Sequence, residues 1–407
     1  MDTSLTNKTN LSRNEARPGE GRAQTKDVTA TSDGTFHDYG LNKQILLSLA
    51  EMGYEYPSPI QAESIPAVFA GQDVIARAKN GTGKTAAFAI PILSRIDTAA
   101  KHIQAVILTP TRELALQTGH VCRKICAKIP ELKVVVTTGG TDLKDDIFRL
   151  THHPQVVVAT PGRLCDLAKK VVNLAKCRQI VLDEADKLLS DFFAPSITSL
   201  FEAVPAACQK LLYSATFPAF VKGFIQREMP TAKQLNTMNE LTLHGITQYY
   251  VYVEEDQKIS CLNTLFAGLK INQAIIFCNS TKRVEFLARQ ITRLGYSCFY
   301  THAKIPQTER NKVFHDFRAG KFRTLVCSDL FTRGIDVQAV NVVINFDFPY
   351  RTDTYLHRIG RSGRFGQLGL AISMVTDREI DVFRQVSRET DSVIDPIPPA
   401  IDTGLYT

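Results

Sequence analysis

The sequence predicts an α/β protein with two tandem domains, each a parallel sheet flanked by helices, separated by a cleft. Three observations support this prediction. The chain of 407 residues is longer than one hydrophobic core usually serves. After Phe36, short β-branched runs alternate with helical patterns, as in parallel α/β sheets. Runs such as Val156-Val157-Val158 are apolar at every position, which is typical of strands covered on both faces.

Residues 1–35 are predicted to be a disordered polar tail. They contain no aromatic and almost no branched aliphatic side chains, so burial cannot offset the entropy of ordering them. Their five basic residues balance five acidic ones, so the net charge of +7 falls on the rest of the chain. This mild excess permits a polyanionic partner without proving one.

The strand–helix alternation divides the remaining chain into two halves. Strand candidates in the first half are 73–76, 105–109, 134–138, 156–160, 180–183 and 211–214; those in the second are 249–253, 274–278, 297–301, 324–328, 342–346 and 370–374. Residues 238–245 break the alternation. We therefore predict domain 1 at 36–237, a linker at 238–245 and domain 2 at 246–407. A cleft between two such domains is a favoured place for ligands.

Other protein classes are poorly supported. No apolar run approaches the roughly 20 residues that span a bilayer, and the N-terminus lacks the apolar region of a secretory signal. The nine cysteines include no CxxC pair, and an odd count in an intracellular protein argues against a disulfide framework. Cys122 and Cys126 are interpreted as small buried hydrophobes rather than metal ligands. The sequence thus favours an intracellular, soluble protein.

A phosphate-binding loop is predicted at residues 78–85, Ala-Lys-Asn-Gly-Thr-Gly-Lys-Thr. It follows a strand candidate and precedes a helical pattern, the order needed for backbone N–H groups to wrap phosphates at a helix N-terminus. We expect Lys84 to reach the β- and γ-phosphates and the Thr85 hydroxyl to hold Mg²⁺. An ordinary glycine-rich turn is the alternative. The predicted nucleotide-binding residues of the loop are Gly81, Thr82, Gly83, Lys84 and Thr85.

An acidic segment, Asp183-Glu184-Ala185-Asp186, lies at the end of an apolar strand candidate. We expect Asp183 to hold the Mg²⁺ shell and Glu184 to orient and deprotonate the attacking water. Taken alone, the cluster would more often be a solvated strand end. Combined with the phosphate loop, it predicts ATP hydrolysis.

A basic segment in the second half, His357-Arg358-Ile359-Gly360-Arg361-Ser362-Gly363-Arg364, is suited to facing a phosphate. Arg361 and Arg364 are candidate arginine fingers that would stabilise charge on the γ-phosphoryl oxygens. His357 is counted with the catalytic residues. A basic surface turn is the alternative. If the prediction holds, hydrolysis requires the two domains to close on one another.

The sequence resembles a DEAD-box RNA helicase from Phe36 to the C-terminus. The matching segments in the first half are Gly53–Gln61, the phosphate loop, Pro110–Leu114, Gly139-Gly140, Thr160–Arg163, the acidic segment and Ser214–Thr216. In the second half they are Ile276–Asn279, Gln307 with Arg310, Thr332–Asp336 and the basic segment. The resemblance implies two tandem RecA-like domains, ATP and Mg²⁺ as cofactors, and an ATPase coupled to RNA remodelling.

The resemblance also implies roles that residue chemistry leaves open. Gln61 matches the glutamine that reads the adenine amino edge, and Phe36 matches the aromatic residue that stacks on the base. Asp336 matches the residue that contacts the ribose. Ser214 and Thr216 match the segment that couples hydrolysis to domain closure and strand separation. Without the resemblance, Phe36 would more often be a core anchor.

RNA contacts are implied at short hydroxyls, glycine turns and arginines. They fall on Thr111, Arg112, Gly140, Thr160 and Arg163 in the first domain, and on Arg310, Thr332, Arg333 and Gly334 in the second. Such groups bind phosphate and ribose rather than base edges, so sequence-independent binding is expected. Thr111 and Thr160 both precede helical patterns, and helix capping is the alternative role for each.

Several segments resemble the branch of the family that acts in mRNA decapping and translational repression. They are 240–243, 248–250, 261–266, 313–318 and 329–341. This resemblance implies mRNA as the bound RNA and cytoplasmic localisation in processing bodies or RNA granules. It also implies decapping factors and a deadenylase-complex scaffold as partners. Ile305-Pro306 departs from the pattern of that branch, which bears on the partners rather than on catalysis.

Three competing functions follow from the same sequence. One is a related DNA helicase or translocase, against which the acidic segment and Gln61 argue. A second is an ATP-gated RNA clamp or scaffold in which unwinding is incidental. A third is a P-loop GTPase, but the sequence lacks a guanine-reading Asn-Lys-x-Asp segment. We expect a monomer, since nothing in the sequence suggests a self-complementary seam.

Overall fold

The computed structural model describes residues 34–78, 81–217, 219–237, 245–329, 337, 339–363, 368–390 and 393–406, and their strands form two seven-stranded sheets. Residues 1–33 of the predicted tail and residues 238–244 of the predicted linker lie outside this description. Every strand pairing is parallel. The predicted fold class, parallel α/β sheets flanked by helices in two successive parts of the chain, is therefore confirmed.

The first sheet has the order β3-β4-β2-β5-β6-β1-β7. Its strands are β1 (Val74–Arg77), β2 (Ala105–Leu108), β3 (Val134–Thr137), β4 (Val156–Ala159), β5 (Gln179–Asp183), β6 (Gln209–Ser214) and β7 (Lys233–Asn236). Its helices are α1 (Lys43–Glu51), α2 (Pro59–Phe69), α3 (Lys84–Ser94), α4 (Arg112–Ile125), α5 (Leu143–Leu150), α6 (Pro161–Ala168), α7 (Ala185–Leu188), α8 (Ala194–Ala203) and α9 (Ala219–Glu228).

The second sheet has the order β10-β11-β9-β12-β13-β8-β14. Its strands are β8 (Ile246–Tyr252), β9 (Gln273–Phe277), β10 (Cys298–Thr301), β11 (Thr324–Cys327), β12 (Val340–Asn345), β13 (Gly369–Val375) and β14 (Asp395–Pro396). Its helices are α10 (Lys258–Gly268), α11 (Thr281–Arg293), α12 (Gln307–Arg318), α13 (Thr352–Ile359) and α14 (Ile380–Thr390).

The apolar strands are covered on both faces, as their composition predicts. In β4, Val156 and Val158 belong to one hydrophobic cluster, whereas Val157 belongs to a second cluster on the other face of the sheet. All three side chains are fully buried. Because successive residues of a strand point to opposite faces, an uninterrupted apolar run requires helices on both sides.

The sequence failed to predict the edge strands β7 and β14. β7 has the sequence Lys-Gln-Leu-Asn, of which only Leu235 is buried, and β14 has two exposed residues. An edge strand can form with little apolar surface, and hydrophobic patterning does not identify those that have as little as β7 and β14. The remaining twelve strands overlap the predicted ones, with ends that differ by at most three residues.

The sheet order brings three predicted functional segments to one edge of the first sheet. Strands β5, β6 and β1 are neighbours, and their carboxyl ends lead into the acidic segment, the Ser214–Thr216 segment and the phosphate loop. Parallel strands end at the same edge, so these segments lie side by side although they are far apart in sequence. Among the described residues, no helix is long and apolar enough to cross a membrane.

Candidate nucleotide and RNA site

The phosphate loop has a backbone that glycine makes possible. Gly81 and Gly83 adopt φ angles of 84° and 90°, which L side chains rarely adopt. A Cβ on Gly83 would lie 2.4 Å from Nε2 of Gln61, so a side chain there would have to displace the Gln61 amide. Lys84 then begins α3, and its ammonium donates to the carbonyl of Ala78 at 2.7 Å. Lys79 and Asn80 of the loop lie outside the described residues.

The N-terminus of α2 braces this loop. The hydroxyl of Ser58 donates to the carbonyl of Thr82 at 2.7 Å. The Gln61 amide accepts from the backbone N–H of Ser58 at 2.9 Å and donates to the carbonyl of Gly83 at 3.3 Å. Gln61 therefore contacts the nucleotide loop directly, and recognition of adenine by this side chain stays a prediction.

Phe36, the predicted base-stacking residue, is buried. Its side chain is 2% exposed, and its ring stacks on Tyr54 with centroids 6.4 Å apart. This position agrees with a core anchor and leaves stacking on a base as a prediction. Asp336, the predicted ribose contact, lies outside the described residues.

The acidic segment forms a buried and strained corner after β5. Glu184 has φ 56° and ψ 54°, and only His153 shares a positive φ among the described non-glycine residues. Strained backbone of this kind is often retained at functional sites. Burial, reinforced by the neighbouring Glu184, raises the pKa of Asp183 to about 7, while Lys84 opposes that shift. A divalent cation would favour the ionised form of Asp183, so these residues fit Mg²⁺.

Asp186 connects three segments. Its Oδ1 accepts from the Ser214 hydroxyl at 2.9 Å, and its Oδ2 accepts from the Thr216 hydroxyl at 2.8 Å. Across the cleft, Nε2 of His357 lies 3.4 Å from the same Oδ2. One ligand atom from each of Glu184, Asp186 and His357 lies within 4.8 Å of the others. The structure thus unites the acidic segment, the coupling segment and the basic segment.

The basic segment is anchored within the second domain. Arg358 is fully buried, and its guanidinium donates to Asp329 at 2.5 Å, to the carbonyl of Asp347 at 2.7 Å and to the Asn279 side chain at 2.7 Å. Arg361 is also buried, and its Nε donates to the carbonyl of His357 at 3.0 Å. The other predicted finger, Arg364, lies outside the described residues.

Four of the five predicted RNA-binding residues of the first domain lie at the starts of α4 and α6, and the fifth, Gly140, follows β3. Thr111 caps α4 by accepting from the N–H of Leu114 at 3.3 Å. Thr160 precedes α6 but accepts from the N–H of Gly139 at 3.2 Å instead of capping the helix. Thr111 is therefore a helix cap, whereas Thr160 bonds the turn that contains Gly139 and Gly140.

Arg112 has unmet hydrogen-bonding capacity at this surface. Its Nε and Nη1 are buried without a partner among the described residues. Burial lowers the pKa of Arg112, with Arg310 and Arg163 adding repulsion and Glu113 opposing the shift. An anion such as a phosphate would accept hydrogen bonds from these donors and would also offset the local excess of positive charge.

A second contact across the cleft lies on this side. Glu113 Oε1 accepts from Nε2 of Gln307 at 2.8 Å and lies 3.5 Å from Nη1 of Arg310. Arg310 also bonds the Gln307 side chain. Thr332, Arg333 and Gly334, the other predicted RNA contacts of the second domain, lie outside the described residues.

Sequence reasoning assigned no individual role to Asp186 or Glu113. The partners of Asp186 are 28, 30 and 171 residues away along the chain, and Gln307 is 194 residues from Glu113. No local pattern encodes such contacts, although both residues lie within segments that the family resemblance includes.

The comparisons with known proteins agree with this geometry. The family model described as "DEAD/DEAH box helicase" matches residues 58–224, and the model described as "Helicase conserved C-terminal domain" matches residues 257–366. The first match spans the phosphate loop and the acidic segment. The second contains Gln307, Arg310 and the basic segment.

Individual proteins are similar over most of the chain. The ATP-dependent RNA helicase DHH1 of Cryptococcus neoformans is 57% identical over 392 residues, which cover 96% of this chain and 63% of that protein. The chain thus spans less than two thirds of that relative's length. The putative ATP-dependent RNA helicase ste13 of Schizosaccharomyces pombe is 56% identical over 393 residues, covering 96% of this chain and 81% of that protein.

Solved structures share the fold of both domains. S. cerevisiae Dbp5 bound to RNA and ADP BeF3 matches with a TM-score of 0.83 and 29% identity, covering 89% of this chain and 95% of that one. Mss116p bound to ssRNA and AMP-PNP matches with a TM-score of 0.82 and 26% identity, covering 93% of this chain and 82% of that one. The two sheets are therefore tandem RecA-like domains, and the chain belongs to the DEAD-box family of ATP-dependent RNA helicases.

Proposed function

We propose that this protein is an RNA-stimulated ATPase that clamps and remodels RNA without sequence specificity. The observation that carries the proposal is the bonding of Asp186, which joins Ser214 and Thr216 of the first domain to His357 of the second. Through it, occupancy of the ATP site in one domain would be tied to the position of the other. Relatives named as ATP-dependent RNA helicases and structural neighbours titled as bound to RNA support the same activity.

In the proposed mechanism, domain 1 binds ATP and domain 2 completes the site. Lys84 would neutralise the β- and γ-phosphates, while Thr85 and Asp183 would hold Mg²⁺, which shields the phosphate charge when bound. Glu184 would orient and deprotonate the attacking water. Arg361 and Arg364 would stabilise charge developing on the transferred group, so hydrolysis would require closure.

The nucleotide contacts are proposed on chemical grounds together with the family resemblance. The N–H groups of the phosphate loop, at Gly81, Thr82 and Gly83, would wrap the phosphates. Gln61 would read the adenine edge and Phe36 would stack on the base. Asp336 would contact the ribose.

RNA would lie along the opposite rim of the cleft. Arg112 supports this placement because two of its buried nitrogens lack partners among the described residues. Thr111, Gly140 and Thr160 would add hydroxyl and backbone contacts to phosphate and ribose. In domain 2 the proposed contacts are Arg310, Thr332, Arg333 and Gly334.

We place the domain boundaries at 36–237 and 246–407, with a linker at 238–245 between them and a polar tail at 1–35. ATP and RNA together would close the cleft, because each ligand contacts both domains. The closed state would prefer a bent single strand, so a short duplex would lose pairing locally. The free energy available for separating RNA strands is limited by how much more tightly the ligands bind the closed state than the open one.

The cellular role we propose is mRNA decay, storage and translational repression in cytoplasmic processing bodies or RNA granules. The segments shared with that branch of the family and the 57% identity to DHH1 support it. Decapping factors and a deadenylase-complex scaffold are the proposed partners. An ATP-gated RNA clamp, in which unwinding is incidental, is the alternative for the cellular task.

The deciding experiment compares ATPase rates with and without poly(U) RNA for the wild type and for Lys84→Ala. RNA stimulation that Lys84→Ala abolishes would support an RNA-coupled ATPase. RNA binding without hydrolysis would favour the clamp. Absence of RNA binding by the wild type would overturn the proposal, and stimulation by single-stranded DNA as strong as that by RNA would favour a DNA translocase.

A further inference from the structure

One buried carboxylate organises the RNA-facing side of the first domain. Asp146, on α5, is 0% exposed. It accepts hydrogen bonds from the hydroxyls of Thr137 at 2.8 Å and Thr141 at 3.3 Å. It also forms ion pairs with Arg149 and Arg163. A fully buried carboxylate persists only where donors of this kind replace its lost hydration, so Asp146, Thr137, Thr141 and Arg163 form one connected unit. Arg149 is 43% exposed and pairs with Asp146 from the solvent side of this unit.

Within this unit, Arg163 is turned toward the protein. Its Nη1 pairs with Asp146 and donates to the Thr141 hydroxyl at 3.3 Å, while its Nη2 donates to the Thr141 carbonyl at 2.7 Å. The Arg163 side chain is only 10% exposed. Both terminal nitrogens thus bond a carboxylate or a loop residue, which uses three of the five N–H donors of the guanidinium and holds the side chain toward the protein.

Thr141 is the last residue of the turn at 139–141, which lies against Arg112. Gly140 has a φ of 82°, and a Cβ placed on it would lie 3.4 Å from Nη1 of Arg112. That nitrogen and Nε of Arg112 are the buried donors that lack described partners. The contacts of Asp146 and Arg163 therefore set the position of a turn whose neighbour has capacity for an anion.

We propose that Asp146 is a positioning residue for RNA binding. Together with Arg163 it holds the turn at 139–141 beside Arg112, and Arg163 itself contacts no phosphate. This inference rests on the RNA-binding function proposed above. It replaces the direct RNA contact that the family resemblance implies for Arg163 with an action through the turn.

The salt dependence of RNA affinity separates the two roles of Arg163. Each phosphate contact to a single strand adds about 0.7 to the slope of log affinity against log salt concentration. We would measure binding of a labelled oligouridine of about ten nucleotides, with a non-hydrolysable ATP analogue, by fluorescence anisotropy between about 50 and 200 mM salt. Arg112→Gln should weaken binding and reduce the slope by about 0.7.

Arg163→Gln and Asp146→Asn should each weaken binding at least about fivefold with the slope of the wild type retained. The double variant should lose no more affinity than the weaker-binding single variant, because the two residues act as one unit. Arg149→Gln is the matched control. It removes another partner of the same carboxylate, but its side chain is 43% exposed, and affinity should stay within about twofold of the wild type.

Three results would overturn the proposal: a slope for Arg163→Gln that falls as it does for Arg112→Gln, additive losses in the double variant, or wild-type affinity for Asp146→Asn. Thermal melting and ATP-analogue binding establish that each variant is folded. If Asp146→Asn does not fold, Thr141→Val is measured instead. This variant keeps the ion pair between Asp146 and Arg163 but removes the hydroxyl that bonds both. Unchanged RNA affinity of Thr141→Val would then overturn the inference. A wild type that binds no RNA would instead contradict the proposed function itself.

Discussion

The imidazole Nε2 of His357 lies 3.4 Å from Oδ2 of Asp186, and both side chains are almost completely buried between the two domains. Asp186 is at the same time bonded to Ser214 and Thr216. A contact that is buried on both sides cannot form unless the domains close. We therefore expect the pair to couple domain closure to Ser214 and Thr216, as proposed above.

His357→Ala should uncouple the two domains. ATP affinity should stay within about twofold of the wild type, because the phosphate loop belongs to domain 1. RNA-stimulated turnover should fall at least about tenfold, because Asp186 loses its partner in domain 2. Steady-state ATPase assays with and without RNA measure both effects. His315→Ala, which removes an 80% exposed histidine of the same domain, is the control and should behave as the wild type. Equal RNA stimulation in both variants would contradict the coupling role.

Glu113→Gln should weaken the second contact across the cleft. The amide keeps the shape of the side chain but loses the charge that faces Arg310, so closure should become less favourable by about 1 kcal/mol. RNA affinity with an ATP analogue should fall about fivefold, and small-angle scattering should show a larger radius of gyration under the same conditions. Glu131→Gln, at an exposed position, provides the comparison. If Glu113→Gln closes and binds RNA like this control, the contact has no role in closure.

Gly83→Ala should damage the phosphate loop. The new Cβ would lie 2.4 Å from Nε2 of Gln61. The alanine would also have to adopt a φ of 90°, which L side chains rarely do. We expect strain of about 1–3 kcal/mol and loss of ATP-analogue binding, measured by calorimetry and thermal melting. Gly223→Ala is the matched control, because Gly223 lies in α9 with nothing within 4 Å of an added Cβ. It should stabilise the protein by about 0.5–1 kcal/mol. Normal nucleotide affinity in Gly83→Ala would show that the loop tolerates a side chain.

Glu184→Gln should separate hydrolysis from binding. The substitution preserves size but removes the proposed general base, so the turnover number should fall at least about a hundredfold while ATP and RNA still bind. Single-turnover hydrolysis and RNA anisotropy test the two halves of this prediction. In cells, continued repression of a bound message by Glu184→Gln would favour the clamp, whereas lost repression would show that turnover is needed. Wild-type turnover would exclude Glu184 as the base.

Much of the fold could be predicted because it depends on local pattern. The apolar run 156–158 predicts a strand covered on both faces, and the structure confirms it. The pattern did not identify β7, whose polar sequence is stabilised by pairing with β1 rather than by burial. It also could not order the strands, since a crossover connection can place a strand beside several possible neighbours.

In the candidate site, too, local sequence predicts some features and only the fold decides others. The spacing of Gly81, Gly83 and Lys84 predicts a phosphate loop because the backbone itself binds the ligand. In the structure both glycines have positive φ angles and Lys84 begins α3, and phosphate binding by these residues stays a prediction. Thr111 and Thr160 look alike in sequence, yet one caps its helix and the other holds Gly139. Their difference depends on what the fold brings near each hydroxyl.

The sequence by itself determined which local chemistry is present: a glycine loop between strand and helix, carboxylates after a buried strand, and arginines at short intervals. Only the tertiary structure decided how these groups act on one another. Asp186 meets His357 across 171 residues, and Asp146 draws Arg163 away from the surface. The physical reason is that hydrogen bonds and ion pairs act over a few ångströms, so distant residues become partners only through sheet order and domain closure.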